Sequence, residues 1–398
     1  MNRLLEGITV VDLSHTLAGP FATMLLADLG ARIIKVEPPG GDETRTWSPF
    51  VRGFSAYFSS ANRGKESIVV NLKKEEGKKI IYRLVEKSQV VIENYRPGVR
   101  EKLGVDPDTL FKVNPELVYC SIKGFGLKNT PYRDKPAYDV LIQGMSGLMA
   151  STGEEGRPPV RVSFALFDVI TGYMSALNIV SALLARREGR LKGPVYIEVP
   201  MYDTAIYSMV YIPVIYLMTG RKPRKMGSGH PSIVPYQAFR ASDGKYFILA
   251  AANDRLWEKA CEALGRRDLA EDPRFKTNPD RVKHREELTK ILQEIFDTRP
   301  RSYWIELFEK HGVPVAPVYE VDEVFQDPHV VQRRLVVELP HPLLEKIPQL
   351  AYPVWINDER TMSKQPPPLK GEHTVKILRE LGYSDSDISE LREKHVIE

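Results

Sequence analysis

The stretch ITVVDLSHTLAGPFATMLLADLGARIIKVEPPGGD, residues 8–42, decides the fold. Its opening ITVVDLS is rich in β-branched residues and reads as a strand. AGPFATMLLADLG reads as a helix stopped by Gly30, and ARIIKVE as a second strand. Strands joined through a helix run parallel, because a parallel pair needs a crossover of a dozen residues or more. The alternation continues: SIVVNL (67–72) is a strand, and EEGKKIIYRLVEKS (75–88) is a helix with Ile80, Ile81, Leu84 and Val85 on one side. QVVIENY (89–95) and LVYCSIKGF (117–125) are further strands. The fold class is therefore α/β, a Rossmann-like large domain with a mostly parallel sheet covered on both faces.

A dinucleotide-binding domain carries GxGxxG after its first strand, whereas this chain has His15-Thr16-Leu17-Ala18-Gly19-Pro20 there. Glu37 ends the second strand as a ribose-binding acid would, and an NAD-dependent oxidoreductase stays the less favoured alternative. Outward from this core, a change of character near Met226 marks a smaller α+β domain with a hairpin turning at Ser242-Asp243-Gly244. Two amphipathic helices close the sequence after PPPLKG. The expected domains are 1–200 with 325–398 for the large one and 226–324 for the small one, with 201–225 as a linker.

Composition narrows the function. The 398 residues are 42% hydrophobic and 27% charged, with a net charge of +4. Cations are scattered among acids rather than gathered in a run, so no nucleic-acid partner is indicated. Cys120 and Cys261 form no ligand spacing, no metal is expected, and a cytoplasmic location fits. Glu6 and Gly7 break the apolar run that a secretory signal needs.

VSFALFDVITGYMSALNIVSALL (162–184) is long enough to span a bilayer but contains Asp168. A charge inside a span costs about 2.5–3.5 kcal/mol, so a buried helix is the preferred reading and no membrane partner is expected. Its core stripe is expected at Ile170, Tyr173, Met174, Leu177, Val180, Leu183 and Leu184, with a stop at Gly189. Asp168 lies at the N-cap or in the first turn. It is either a capping carboxylate or a nucleophile held in an apolar site.

VVDLSHTLAGPFATMLLADLGARIIKVEPPGGDETR, VIENYRPGVREKLG, and PAYDVLIQGMSGLMASTG followed by FALFDVITGYMSALNIVSALL come in this order. Together with the C-terminal PPPLKGEHTVKILRELGYS they make the chain resemble a family III CoA-transferase, the group that includes formyl-CoA transferase, carnitine CoA-transferase and α-methylacyl-CoA racemase. The resemblance implies that Asp168 attacks an acyl-CoA thioester. CoA then passes to a free carboxylic acid through an aspartyl anhydride and an aspartyl-CoA thioester. Such a carboxylate, with an ordinary pKa near 4, is ionised without help from a base. The resemblance further implies CoA contacts at Leu17, Ala18, Asn71, Leu72, Lys73, Asn94, Tyr95, Arg96, Lys102, Ala137 and Tyr138. Coenzyme A is a substrate, and no tightly bound cofactor is expected. Two copies are expected to interlock as a homodimer.

Racemases of the family place a histidine at the position of Tyr138; a phenol is a poor proton shuttle at neutral pH, so transfer is preferred over racemisation. Pro38 stands where several members have a CoA-binding arginine, with Arg45 or Lys135 as expected substitutes. Leu17 replaces the glutamine of oxalate-using members, and GSGHPSIVPY replaces their glycine-rich loop. Backbone N–H groups of the QGMSG glycines are the expected oxyanion donors, and His230 is a further candidate near the site.

Overall fold

Buried apolar runs and helices build a single six-stranded sheet in the computed structural model, which describes residues 3–398. Its strands are β1 (Thr9–Asp12), β2 (Arg32–Glu37), β3 (Lys65–Val69), β4 (Val90–Glu93), β5 (Val118–Lys123) and β6 (Val195–Pro200). They lie in the order β3-β2-β1-β4-β5-β6, and each neighbouring pair is parallel. The chain order reverses between β1 and β4, the place where open α/β sheets form a ligand crevice.

Successive side chains of a strand point to opposite faces, and both faces here are apolar. Val10, Ile33, Val90 and Cys120 pack with α1 (Ala18–Asp28) and the long helix α4 (Leu166–Arg187). Val11, Ile34, Val91 and Tyr119 pack with α2 (Glu75–Glu86) and with the terminal helices α7 (Thr374–Glu380) and α8 (Asp385–Glu393). The chain end is tied to the sheet, since Asn71 N–H donates to Val396 O at 2.8 Å. Helices α1 and α4 approach closely at Gly172, where a Cβ would stand 2.8 Å from the Phe21 ring and 2.9 Å from Ala18 O.

That close approach overturns part of the expected core stripe of α4, of which Met174, Val180 and Leu183 do pack against the core. Its buried side is small and polar, with Thr171, Gly172, Ser175, Ala176, Ile179 and Ala182, while Tyr173, Leu177 and Leu184 are exposed. A small face lets two helix backbones approach, so the bulky residues point away. Three more helices complete the elements used below: α3 (Asp139–Met145), α5 (Met201–Ser208) and α6 (Tyr211–Thr219).

This first unit comprises the residues up to Gly147, Val162–Gly220 and Arg334–Glu398. The second comprises Leu148–Arg161 and Arg221–Arg333. The division differs from the expected one in three ways. Residues 148–161 leave the large domain because Gly227 N–H bonds Gly153 O at 2.9 Å and Lys225 Nζ bonds Arg157 O at 2.7 Å. Helices α5 and α6 occupy the expected linker. At the other boundary, residues 325–333 fall in the second unit. That unit has a three-stranded antiparallel sheet formed by Tyr236–Arg240, Tyr246–Ala250 and Val315–Pro317. Its helices pack around Phe296, Trp304 and Trp257.

Candidate active site

Charged residues end four strands of the sheet: Asp12 on β1, Glu37 on β2, Glu93 on β4 and Lys123 on β5, all buried. Buried charges persist only when paired, and these are. Lys65 Nζ lies 3.1 Å from Asp12 Oδ2 and 2.9 Å from Asn62 Oδ1. Burial pulls its ammonium down to about 8 against the attraction of Asp12. Lys123 Nζ lies 2.9 Å from each Glu93 oxygen and donates to Tyr95 O at 2.6 Å. These pairs form a fixed polar floor at the carboxyl ends of the strands.

Above that floor the β1–α1 turn is shaped by strain and clamping. Thr16 has φ +70°, a left-handed conformation uncommon outside glycine, and its hydroxyl bonds Glu43 Oε1 at 2.5 Å. The Asn94 amide grips the His15 backbone from both sides: His15 N–H donates to Oδ1 at 3.0 Å and Nδ2 donates to His15 O at 2.8 Å. Because Asn94 follows β4 directly, this clamp sits where the strand order reverses.

Two cavities meet there. One, about 260 Å³, is lined by Leu17, Ala18, Asn94, Tyr95, Arg96, Ala137, Tyr138 and Asp168 among others. The other, about 500 Å³, is lined by Pro38, Asn71, Leu72 and Lys73 among others. His15, Glu43 and Tyr95 line both. Burial pushes the His15 imidazole below its ordinary value and so favours the neutral ring. A larger cavity of about 730 Å³, bordered by Met24, Tyr173, Ile347 and Leu350, is mostly apolar. Its one buried charged group, Arg63, is paired with Asp28. It contains neither Asp168 nor another candidate nucleophile.

Asp168 sits in the first turn of α4 yet does not cap it. The cap comes from Asp139, the first residue of α3, whose Oδ1 accepts the Phe167 N–H at 2.7 Å and the Asp168 N–H at 3.4 Å. Gln143 Nε2 holds Oδ2 of Asp139, and Gln143 Oε1 accepts the Val162 N–H at 2.8 Å. This leaves the Asp168 carboxylate, half-buried in the cavity wall, without a hydrogen bond among the described residues. Burial, reinforced by the Asp139 charge, pushes its pKa up to about 7. The expected ordinary value near 4 is thereby corrected: the site favours the protonated acid well above the ordinary carboxylate range.

Of the anticipated residues, Leu17, Ala18, Asn94, Tyr95, Arg96, Ala137 and Tyr138 share the Asp168 cavity, whereas Asn71, Leu72 and Lys73 line the neighbouring one. Lys102 is exposed and lines neither. Tyr138 is 58% exposed, so it is no core aromatic. Several expectations fail on geometry. Arg45 cannot replace the arginine missing at Pro38, because its guanidinium is bound by both Glu37 oxygens at 2.7 Å and stacks 3.7 Å over Phe58. The same pair occupies Glu37, which is therefore no ribose ligand. The QGMSG glycines, Gly144 and Gly147, do not line the cavity, whereas Gly124 does. Its hydrogen side faces Ala137, 2.2 Å from where a Cβ would stand. His230 belongs to the second unit, where its Nδ1 accepts the Ser232 N–H at 3.1 Å.

Sequence reading passed over His15, Glu43 and Arg133 as site residues, although all line the Asp168 cavity. Only His15 had a usable signal, its position just after the first strand of a doubly wound sheet.

Comparison with known proteins gives a consistent result. The family model described as CoA-transferase family III matches residues 5–374. The succinyl-CoA:glutarate CoA-transferase of Homo sapiens is 40% identical over 100% of this chain and 91% of its own length. The acetyl-CoA:oxalate CoA-transferase of Acetobacter aceti is 42% identical over 84% of this chain and 85% of its own. A crystal structure of a CaiB/BaiF family protein from Brucella suis superposes with a TM-score of 0.87 at 39% identity, covering 96% of this chain and all of that one.

Proposed function

The chain belongs to CoA-transferase family III and is an enzyme that moves CoA between an acyl-CoA thioester and a carboxylic acid, and we propose that Asp168 carries the exchange covalently. One observation carries this reading. The carboxylate that ought to cap α4 is relieved of that task by Asp139, so that, with no hydrogen bond among the described residues, it lines a cavity beside the start of α1.

Asp168 attacks the thioester carbonyl, the C–S bond breaks, and CoA leaves as its thiolate with an acyl-aspartyl anhydride formed. The thiolate then attacks the aspartyl carbonyl carbon. The C–O bond breaks, the donor acid departs as a carboxylate, and an aspartyl-CoA thioester remains. The acceptor acid repeats the sequence in reverse and restores the free Asp168 carboxylate. The orphan N–H groups at the start of α1, which has no side-chain cap, are suitable donors to each tetrahedral oxyanion. Leu17, Ala18, Ala137 and Met201 keep water from the anhydride.

An elongated CoA molecule suits two cavities with a shared wall, its thioester at Asp168 and its nucleotide near Asn71, Leu72 and Lys73. Arg96 and Lys102 are exposed and have no side-chain partner among the described residues, available to phosphate oxygens. The relatives' names pair CoA with succinate and glutarate or with oxalate. The apolar side chains of Leu17, Ile122 and Met201 in the lining favour a dicarboxylate with methylene carbons over oxalate.

A second copy of the chain is the proposed cover for Tyr173, Leu177 and Leu184 on α4 and for α6, whose Leu217 and Met218 are 79% and 81% exposed. Sedimentation should give twice the chain mass; a monomer at micromolar concentration removes this part of the reading.

The covalent step is tested by incubating enzyme with succinyl-CoA and hydroxylamine and reading intact mass. Wild type should acquire a hydroxamate on the peptide containing Asp168. Asp168→Ala should acquire none and lose about 10⁴-fold or more in exchange rate. Exchange that survives in Asp168→Ala would refute the mechanism.

A further inference from the structure

We propose that Arg133 sets acceptor specificity by holding the distal carboxylate of a dicarboxylic acid whose other carboxylate reacts at Asp168. The inference rests on the Asp168 mechanism and deepens it.

Four cations line the Asp168 cavity: Arg96, Lys123, Arg133 and Lys135. Lys123 is consumed by Glu93 and the Tyr95 carbonyl. The Lys135 ammonium rests 4.3 Å from the centre of the Tyr132 ring. Arg96 also lines this cavity and is the cation assigned above to the CoA phosphates. Arg133 remains, with no hydrogen bond or ion pair among the described residues.

An unanswered guanidinium at the cavity of a carboxylate-processing enzyme is matched to an anion from outside. Its planar fork pairs with a carboxylate through two parallel hydrogen bonds.

The backbone beneath Arg133 is also fixed. Lys135 N–H closes a turn on Tyr132 O at 2.9 Å, and Tyr132 N–H bonds Thr130 Oγ1 at 3.1 Å. The Tyr132 ring packs edge-on against buried Phe125 at 5.3 Å. A cation on an anchored turn can select by the distance between two carboxylates, which a cation on a mobile loop cannot. Leu17, Ile122 and Met201 line the same cavity and suit the methylenes that separate two such carboxylates.

The test compares glutarate with valerate, a monocarboxylate of equal chain length, as acceptors at saturating succinyl-CoA. In a two-stage exchange kcat/KM for the acceptor is independent of the donor. Wild type should prefer glutarate. Arg133→Gln should lose about 10- to 100-fold in kcat/KM for glutarate, the size expected for a charge-assisted pair, while valerate is unchanged or improved. Arg133→Lys should recover part of the loss. An equal fall for both acids assigns Arg133 to CoA instead and overturns the inference, as does an unchanged preference or a wild type without one. A wild type that exchanges no acid, and forms no hydroxamate, removes the underlying mechanism as well. Arg133 is exposed, so both variants should melt with wild type.

Discussion

The two units bury different things. In the first, Asp12, Lys35, Glu37, Glu93 and Lys123 lie at or near the carboxyl ends of strands and Lys65 reaches Asp12 from the start of β3, each less than 5% exposed. In the second, Phe296 is ringed by Phe239, Phe247 and Trp304 at 4.9–5.1 Å. Arg281 is the buried charged side chain found there among the described residues, and it is bound by Asp254 at 2.8 Å and Val234 O at 2.7 Å. Burying ion pairs adds little net stability, because desolvation cancels most of the attraction. Their concentration beneath the Asp168 cavity therefore speaks for precise placement of the turns above them, while the aromatic cluster is a core in the ordinary sense.

The largest effect that could break this contrast is Glu93→Ala. It strips the anion from Lys123 and Arg100 and frees the Tyr95 segment, and should lower stability by about 3–5 kcal/mol with loss of exchange activity. Phe296→Ala should cost a similar about 3–5 kcal/mol, but without any dependence on pH between about 5 and 8. Thermal melts across that range read both. A Glu93→Ala protein as stable as wild type refutes a structural charge floor.

Next in size is the pH response of Asp168. Its folded pKa, about 7, lies above the ordinary value of 3.8, so the fold favours the protonated acid. Ionising it lowers stability progressively from about pH 4 to about pH 7, with the loss complete above. Asp168→Asn should therefore melt a few degrees higher than wild type at about pH 8 and no higher at about pH 4. For catalysis the sign is opposite, because only the carboxylate attacks. Donor kcat/KM should rise roughly 30-fold from about pH 5.5 to about pH 8, levelling above the pKa. A flat profile places the titration elsewhere.

The smallest effect sharpens the picture. Asp139→Asn removes the neighbouring charge while an amide oxygen still caps α4. The midpoint of the profile should move down by less than about one unit, because burial is the larger cause of the shift. Stability should fall by about 1 kcal/mol, since the new amide N–H₂ faces the Gln143 donor. A midpoint that moves upward contradicts the like-charge account.

Much of this was legible in the chain. Parallel strands advertise themselves as continuous apolar runs because both faces are covered, so residues 8–42 and 67–125 marked five of the six strands of the sheet. The missing GxGxxG turned attention from dinucleotides, and a charge in an apolar helix marked Asp168. The faces of α4 were misread because periodicity shows that an apolar stripe exists, not which side a neighbour takes. Here the small residues around Gly172 took it, by admitting α1 closer than Tyr173 or Leu177 could.

Local pattern in the sequence thus marked five strands of the sheet and the long helix, and the family resemblance pointed to Asp168 as the candidate nucleophile. The state of that carboxylate was decided by tertiary structure. Asp139, 29 residues earlier, takes over the capping role, and burial with that second charge keeps a proton near Asp168. Arg45 and Arg133 divide in the same way. Glu37 neutralises the first, and nothing within the described chain answers the second. Pairing across the fold is a matter of distance, and distance is what a sequence does not contain.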